Sequence, residues 1–223
     1  MAGIQIIGNG GTVLGAGEEA RKPLHVQHMP KVGNHYRYSG FTGTIGAALA
    51  ANSELLQFCF LSGTKTWALV HKVVFDGLGI VAVATATGPL GFQLVPARAW
   101  TVAGSGGTRI AVSGDNLQME TAIGNSQVND LGIATTGALT VGTKTLDANA
   151  VGQAIGGVGT AAVTAYGPTS IVVPQALFDC EASGMPLVLA NQEGFIIKTT
   201  HVGPAALTYV AGFTVVWSEV TAF

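Results

Sequence analysis

Met185 to Val220 reads MPLVLANQEGFIIKTTHVGPAALTYVAGFTVVWSEV, and its pattern decides the fold class. Pro186 to Ala190 is short and apolar. Asn191-Gln192-Glu193-Gly194 predicts a turn in which Gly194 takes a positive φ, and Phe195 to Thr200 leaves it rich in β-branched and aromatic residues. A second turn is expected at Gly203-Pro204. From Leu207 to Val220 the chain alternates: Phe213, Val215 and Trp217 fall on one face, and Thr214, Val216 and Ser218 on the other. That is the pattern of a central antiparallel strand. The stretch holds three strands in succession and supplies no nucleophile, acid/base pair or ligand set, so it speaks of architecture rather than chemistry.

The same style extends towards the N-terminus. His35 to Thr42 predicts a strand, Gly46 to Ala51 with Asn52-Ser53-Glu54 a small-residue loop or a single helical turn, and Leu55 to Leu61 a strand buried on both faces. After a turn at Ser62-Gly63-Thr64-Lys65, strands are expected over Trp67 to Phe75, Ile80 to Thr87 and Gly91 to Trp100, with Gly88-Pro89 separating the last two. Gly104 to Asp130 is polar and predicts a long surface loop, with one helical turn near Leu117 to Ala122. Leu131 to Tyr166 is a run of Gly, Ala, Thr and Val whose small side chains let backbones approach closely, as at a subunit contact. Ser170 to Phe178 restores a strand, and Pro174 marks it as an edge or a bulge. Strands recurring about every ten residues, with turn residues between, are the signature of a sandwich or barrel. The expectation is an all-β, jelly-roll-like antiparallel β-sandwich over residues 34–223.

Residues 1–33 differ. Ile4, Ile6 and Ile7 are followed by Gly8-Asn9-Gly10-Gly11, and Gly15 to Pro30 holds the densest charge in the chain with two prolines. Two readings stay open, an extended N-terminal arm that crosses to a neighbouring subunit and an ordinary flexible terminus.

Composition narrows the function classes. Of 223 residues only 10% are charged, against about a quarter in ordinary soluble domains, which predicts outer surface buried against other subunits in a homo-oligomer. The formal net charge is -2 and no basic block exceeds Arg21-Lys22, which argues against a nucleic-acid partner. The uncharged runs Gly77 to Ala97 and Ala148 to Phe178 are broken by Gly-Pro and rich in Thr or Ala, so no membrane span is expected. No secretory signal pattern opens the chain, and synthesis in a reducing cytoplasm fits. Cys59 lies in an apolar run and reads as a buried free thiol, with a bridge to Cys180 as the alternative.

Candidate chemistry is sparse. His25 and His28 form an H-x-x-H pair, and His35, His71 and His201 complete the histidines, but the ligand count for zinc falls short and no metal or cofactor is expected. Gly-Thr-Lys-Thr occurs at Gly63 and Gly142 and fails the phosphate-loop pattern, because Thr64 and Thr143 separate glycine from lysine; both copies read as turns. Asp76, Asp115, Asp130, Asp147 and Asp179 sit mostly beside turn residues, where aspartate bonds its own backbone, although two carboxylates meeting in space would suit a glycosidase. Tyr36, Tyr38, Trp67, Trp100 and Tyr166 could stack on sugars, and core packing accounts for most of them equally. No catalytic residue is assigned, and the chain is not expected to be an enzyme.

Pro186 to Phe195, with the closing Val215-Val216-Trp217-Ser218-Glu219-Val220, resembles the end of a family of structural proteins from tailed bacteriophages. His35-Tyr36-Arg37, Ala47 to Ser53 and Gly142 to Asp147 resemble stretches of the same family, in the same order. The resemblance implies a component of the virion. Taken with the low charge, the small residues and the arm, it leads to the expectation of a capsid decoration or cement protein on the head surface. Such a protein, trimeric by preference, would bind the major capsid protein where capsomers meet. A tail, baseplate or fibre component and a glycan-binding attachment module are the alternatives, with a hydrolase the weakest.

Overall fold

The structure, a computed structural model, describes residues 34–82, 84, 88–112, 117–119, 126–158 and 174–221. The expected arm, residues 1–33, lies outside the described residues. Among those described, the strands are β1 (Asn34–Phe41), β2 (Glu54–Phe60), β3 (Trp67–Ala82), β4 (Gly88–Val102), β5 (Gly107–Arg109), β6 (Val128–Ala134), β7 (Thr143–Leu146), β8 (Gly152–Val158), β9 (Gln175–Asp179), β10 (Leu187–Leu189), β11 (Glu193–Thr199) and β12 (Thr208–Val220). A short helix, α1 (Cys180–Ser183), joins β9 to β10.

The protein is all-β, with two antiparallel sheets. The first has the order β1-β12-β3-β10, with β9 also paired to β3; the second has the order β5-β6-β2-β11-β4-β7, with β8 also paired to β4. The three strands of the opening stretch form as expected and divide between the sheets: β10 and β12 join the first, β11 the second. β12 is central, with β1 on one side and β3 on the other. β2 is buried at every residue, because β6 and β11 flank it and both of its faces are covered.

The inward faces meet in one aromatic core. Phe58 of β2 stacks on Phe195 of β11 at 4.8 Å and meets Trp217 of β12 edge-on at 5.1 Å, and Phe75 of β3 lies 4.7 Å from Phe92 of β4. The last two contacts join one sheet to the other, which makes the arrangement sandwich-like. Burying each such side chain contributes roughly 1.5–3 kcal/mol, so the row accounts for much of the cohesion between the layers. At one side β8 lies against β9, and a Cβ at Gly152 would collide with the Leu177 carbonyl. Only glycine allows that approach.

Several expectations are corrected. The strands expected over Trp67–Phe75 and from Ile80 are one strand, because the ladder absorbs Asp76 as an extra residue where Gly212 pairs with Gly77 and Phe213 with Phe75. Gly88-Pro89 begins β4 rather than forming a turn. The polar interruption carries β5 and the start of β6, and Leu117–Met119 is not helical: Leu117 takes a left-handed φ of 67° and Gln118 bridges to Tyr36. The rest of that expected helical turn lies outside the described residues. In the turn after β10, Gln192 takes the left-handed φ of 60°, while Gly194 is in β11, where a Cβ would strike the Phe58 carbonyl. The loop between β1 and β2 contains no helical turn. β9 runs from Gln175 with Pro174 just before it and a register shift opposite Val73 and Val74, so its edge position and its bulge are both present.

Candidate functional site

Among the described residues, three sites hold ionisable groups that are buried or half-buried, each positioned by strand register. On the outer face of the first sheet, the register shift opposite Val216 and Trp217 leaves His71 as the extra residue of β3. Its Nε2 lies 2.8 Å from Ser218 Oγ, its Nδ1 lies 3.9 Å from Cys180 Sγ, and its ring stacks on His35 at 6.2 Å. Burial, and then the neighbouring His35, hold His71 below the ordinary histidine range, so the neutral ring is favoured. A Ser–His contact is the beginning of a nucleophilic pair. Ser218 is fully buried, however, so no substrate carbonyl reaches its hydroxyl in this conformation. Further along the same face Ser39 Oγ, Thr214 Oγ1 and Asp76 Oδ2 form a row, with contacts of 2.7 and 2.8 Å.

The second cluster lies on the outer face of the second sheet. Lys144 of β7 pairs with Glu54 of β2 at 2.9 Å, and neither side chain is exposed by more than 3%. Gln57 Nε2 donates to Glu54 Oε2 at 2.6 Å and to the Thr140 carbonyl at 2.8 Å, while the Gly104 N–H donates to Gln57 Oε1. Lys144 Nζ also donates to the Val141 carbonyl and stands 4.6 Å from the Trp100 ring centre. Around this network Cys59, Val95, Ala97, Trp100 and Ile196 form a second apolar cluster beneath Leu146 and Ala150. Asp130, beside Cys59 in the register, pairs with Arg109; its Oδ2 is buried without a hydrogen bond. Burial raises the Asp130 carboxyl against the opposing pull of Arg109 and Lys144. The Cys59 thiol is pushed up to about 12, by burial first and then by Asp130.

The third group is Glu219, fully buried at the end of β12. Its carboxylate accepts from Ser126 Oγ, Trp217 Nε1 and the Gln127 N–H. Burial raises it above the usual carboxylate value although these bonds pull it down. It ties the chain before β6 to β12, which is a structural use.

Among the described residues the carboxylates singled out in the sequence are not brought together, whereas His35, His71 and Cys180 are. Asp76 serves Thr214; Asp130 serves Arg109; Asp147 and Glu193 share Arg98; Asp179 caps α1 and pairs with Lys72 at 3.0 Å. Lys72 and the Glu181 N–H hold the Asp179 carboxyl below its usual range. Asp115, Tyr166, His25 and His28 lie outside the described residues. Tyr36, Tyr38 and Trp100 are buried and Trp67 is half-buried, so these four are poorly placed to stack on a sugar. His201 bonds its neighbour Thr200. Gly63 to Lys65 is a turn whose Gly63 and Lys65 amides donate to Gln127. Gly142 does take a left-handed φ of 67°, but Thr143 to Leu146 is strand β7, which corrects the reading of that copy as a turn throughout. Both cysteines are free.

Sequence reasoning missed the Lys144–Glu54–Gln57 network and the Glu219 anchor, whose partners lie far apart in the chain. One signal was available: a charged residue inside an otherwise apolar strand, as Glu219 is in Val-Trp-Ser-Glu-Val, needs internal partners. Among the described residues no group of three or more His, Cys, Asp or Glu could hold a metal ion, and no helix is long and apolar enough to cross a membrane. No protein family, curated protein or solved structure matches this chain.

Proposed function

We propose that this chain is a non-enzymatic structural protein of a tailed-phage virion, a capsid decoration or cement protein bound to the major capsid protein at capsomer junctions. The observation that carries the reading is where the charge goes. In a chain with 10% charged residues, Glu54, Lys144, Asp130 and Glu219 are spent on buried internal contacts. What remains outside is a strand-rich surface with few charges and with exposed Phe41, Val81, Met185 and Val202. Such a surface suits many weak contacts repeated over a lattice, which add up by avidity.

The finer fold belongs to the same reading: a jelly roll. Its support is the nesting of the pairs β1 with β12, β2 with β11, β3 with β10 and β4 with β8. Strands β1 to β4 alternate between the sheets, as β10 to β12 do again. A long two-stranded ribbon rolled up on itself gives that order. The exposed members of the small-residue run, among them Val141, Val151 and Ile155, and the segment 1–33 are the parts assigned to contacts with neighbouring subunits, in a trimer by preference.

The deciding experiment is the copy number and position of the protein in purified particles, by quantitative mass spectrometry and electron cryomicroscopy. Hundreds of copies on the head, and particles without it that open sooner on heating, are the expected results. A few copies at the tail would replace this reading with a baseplate or fibre component. Saturable glycan binding, lost when an exposed aromatic is changed, would replace it with an attachment module.

A further inference from the structure

β1 pairs with β12 along its whole length, from Asn34 opposite Glu219 to Phe41 opposite Gly212. The Thr42 N–H donates to the Ala211 carbonyl, so Phe41 and Gly212 form a non-hydrogen-bonded pair. Ser39, Arg37 and His35 share that phase, and their N–H and C=O groups point away from β12. Part of this second edge is filled. The Arg37 N–H donates to Leu117 at 2.7 Å, and the Met119 N–H donates to His35 at 2.9 Å. Beyond Arg37 no described residue bonds the main-chain groups of Ser39 and Phe41 on that side. Arg37, Ser39 and Phe41 are exposed, Phe41 by 68%. An open strand edge is a template for another strand, and this one carries no lysine or proline to repel it.

The geometry points to a second copy of the same edge as the occupant, running antiparallel to the first across a two-fold axis at Gly40. In that register Ser39 of each copy faces Phe41 of the other, and the two residues supply four N–H···O=C bonds. Gly40 sits on the axis at a non-hydrogen-bonded position, where strands come closest, and it brings no side chain to obstruct them. Arg37, Ser39 and Phe41 share one face of β1. The ring of Phe41 lies over Gly212 of β12 in the single chain; turned towards the new edge it stands diagonally across from the second copy's Arg37, within reach of its guanidinium, and the contact occurs twice. Cation and ring come from the same chain, so the edge is complementary to itself.

The length of the opening selects the same partner. Leu117 stands opposite Arg37, so an incoming strand must leave the edge soon after passing Ser39. β1 does so: it ends at Phe41, and Gly43 turns to donate to the Ala134 carbonyl in the other sheet. A longer foreign strand would run into Leu117. The inference stands on this edge alone, does not depend on the virion reading, and makes a two-fold pair, in place of a trimer, the state of the free chain in solution.

The test is sedimentation velocity on the full chain over a dilution series, with hydrogen exchange measured in the same samples. Two variants accompany it. Ser39→Pro removes an N–H that points away from β12, together with the half-exposed hydroxyl contact to Thr214, and Phe41→Lys leaves that contact in place while setting a cation against Arg37. A dimer is expected for the wild type, with Ser39 and Phe41 amides slowed on the order of tenfold or more in the dimer and released on dilution. Both variants are expected to be monomers with unchanged circular dichroism. A monomeric wild type, an oligomer that neither variant weakens, or exchange at these amides independent of concentration would overturn the inference. Should Ser39→Pro fail to fold, Phe41→Lys and the exchange data decide.

Discussion

On the outer face of the first sheet Ser39, Thr214 and Asp76 form a hydrogen-bonded row, and Ser39 and Phe41 beside it are exposed. On the outer face of the second, Cys59, Val95, Ala97, Trp100 and Ile196 are buried under Leu146 and Ala150. Both faces come from strands that alternate inward and outward residues, and both have the same aromatic core behind them. What separates them is one return of the chain. After β6 it passes over the second sheet, and β7 inserts Lys144 beside Glu54, Gln57 and Trp100. The difference teaches that an outward-facing position in a strand is not thereby a solvent-facing one. A layer held by a buried ion pair can turn the outside of a sheet into a second core.

Removing half of that ion pair should uncover the second sheet and carries the greatest expected cost. Lys144→Met leaves Glu54 buried with Gln57 as its remaining partner, and an uncompensated buried charge costs about 3–5 kcal/mol. Urea denaturation of the full chain measures the loss. The double change Glu54→Leu with Lys144→Met should recover most of it, because apolar residues of similar volume replace buried pairs at little cost. A single change costing less than about 1 kcal/mol, as surface pairs do, would mean that the layer is held by something other than Lys144.

Next in size is truncation at matched outward positions. Ile196→Ala on the covered face empties a fully buried site and should cost about 2–5 kcal/mol. Val216→Ala on the open face removes a half-buried side chain, and surface changes of that kind stay near or below about 1 kcal/mol. Equal costs would erase the distinction between the faces.

The two thiols report the difference between the faces without altering stability. Cys59 lies under the layer with its thiol pushed up to about 12, and Cys180 is half-buried beside His71 on the open side. A maleimide should label Cys180 in the folded protein and reach Cys59 only in urea concentrations that unfold it. Equal labelling rates would show the layer opening in the native state.

The sheets themselves were legible, because period-two alternation and the turn residues around Asn191 and Gly203 are local signals. Spacing alone puts Phe213, Val215 and Trp217 on one face of a central strand, and that face is the one turned to the core. The covered face was not legible. Ile196 and Val95 look the same in sequence whether they meet water or a second layer, and the layer comes from a run of Gly, Ala, Thr and Val with no stronger pattern. The ion pair spans Glu54 to Lys144, and Lys144 sat in a motif that reads as a turn. Register shifts were equally hidden: those near Asp76 and His71 depend on the partner strand β12, not on their own neighbours. The His71–Ser218 contact exists because of one of them.

That contact carries the smallest of these effects, and it tests whether the open face responds to pH in the neutral range. His71 is held below its ordinary value. The unfolded chain therefore binds a proton that the folded chain refuses, and the contribution of His71 to stability is complete above the ordinary histidine value. It is lost as pH falls through the lowered one. Glu219 and Asp130, both raised by burial, act in the opposite sense: their contribution is complete below the ordinary carboxylate values and is lost as pH rises through the raised ones. His71→Asn keeps a group able to bond Ser218 and removes the titration. Urea midpoints compared from neutral to mildly acidic pH should move in favour of the variant as pH falls, with no matching trend for Cys59→Ala on the covered face. Parallel curves for His71→Asn and wild type would mean that His71 accepts its proton in place, with His35 and Cys180 adjusting around it. The open face would then be as insensitive to neutral pH as the covered one.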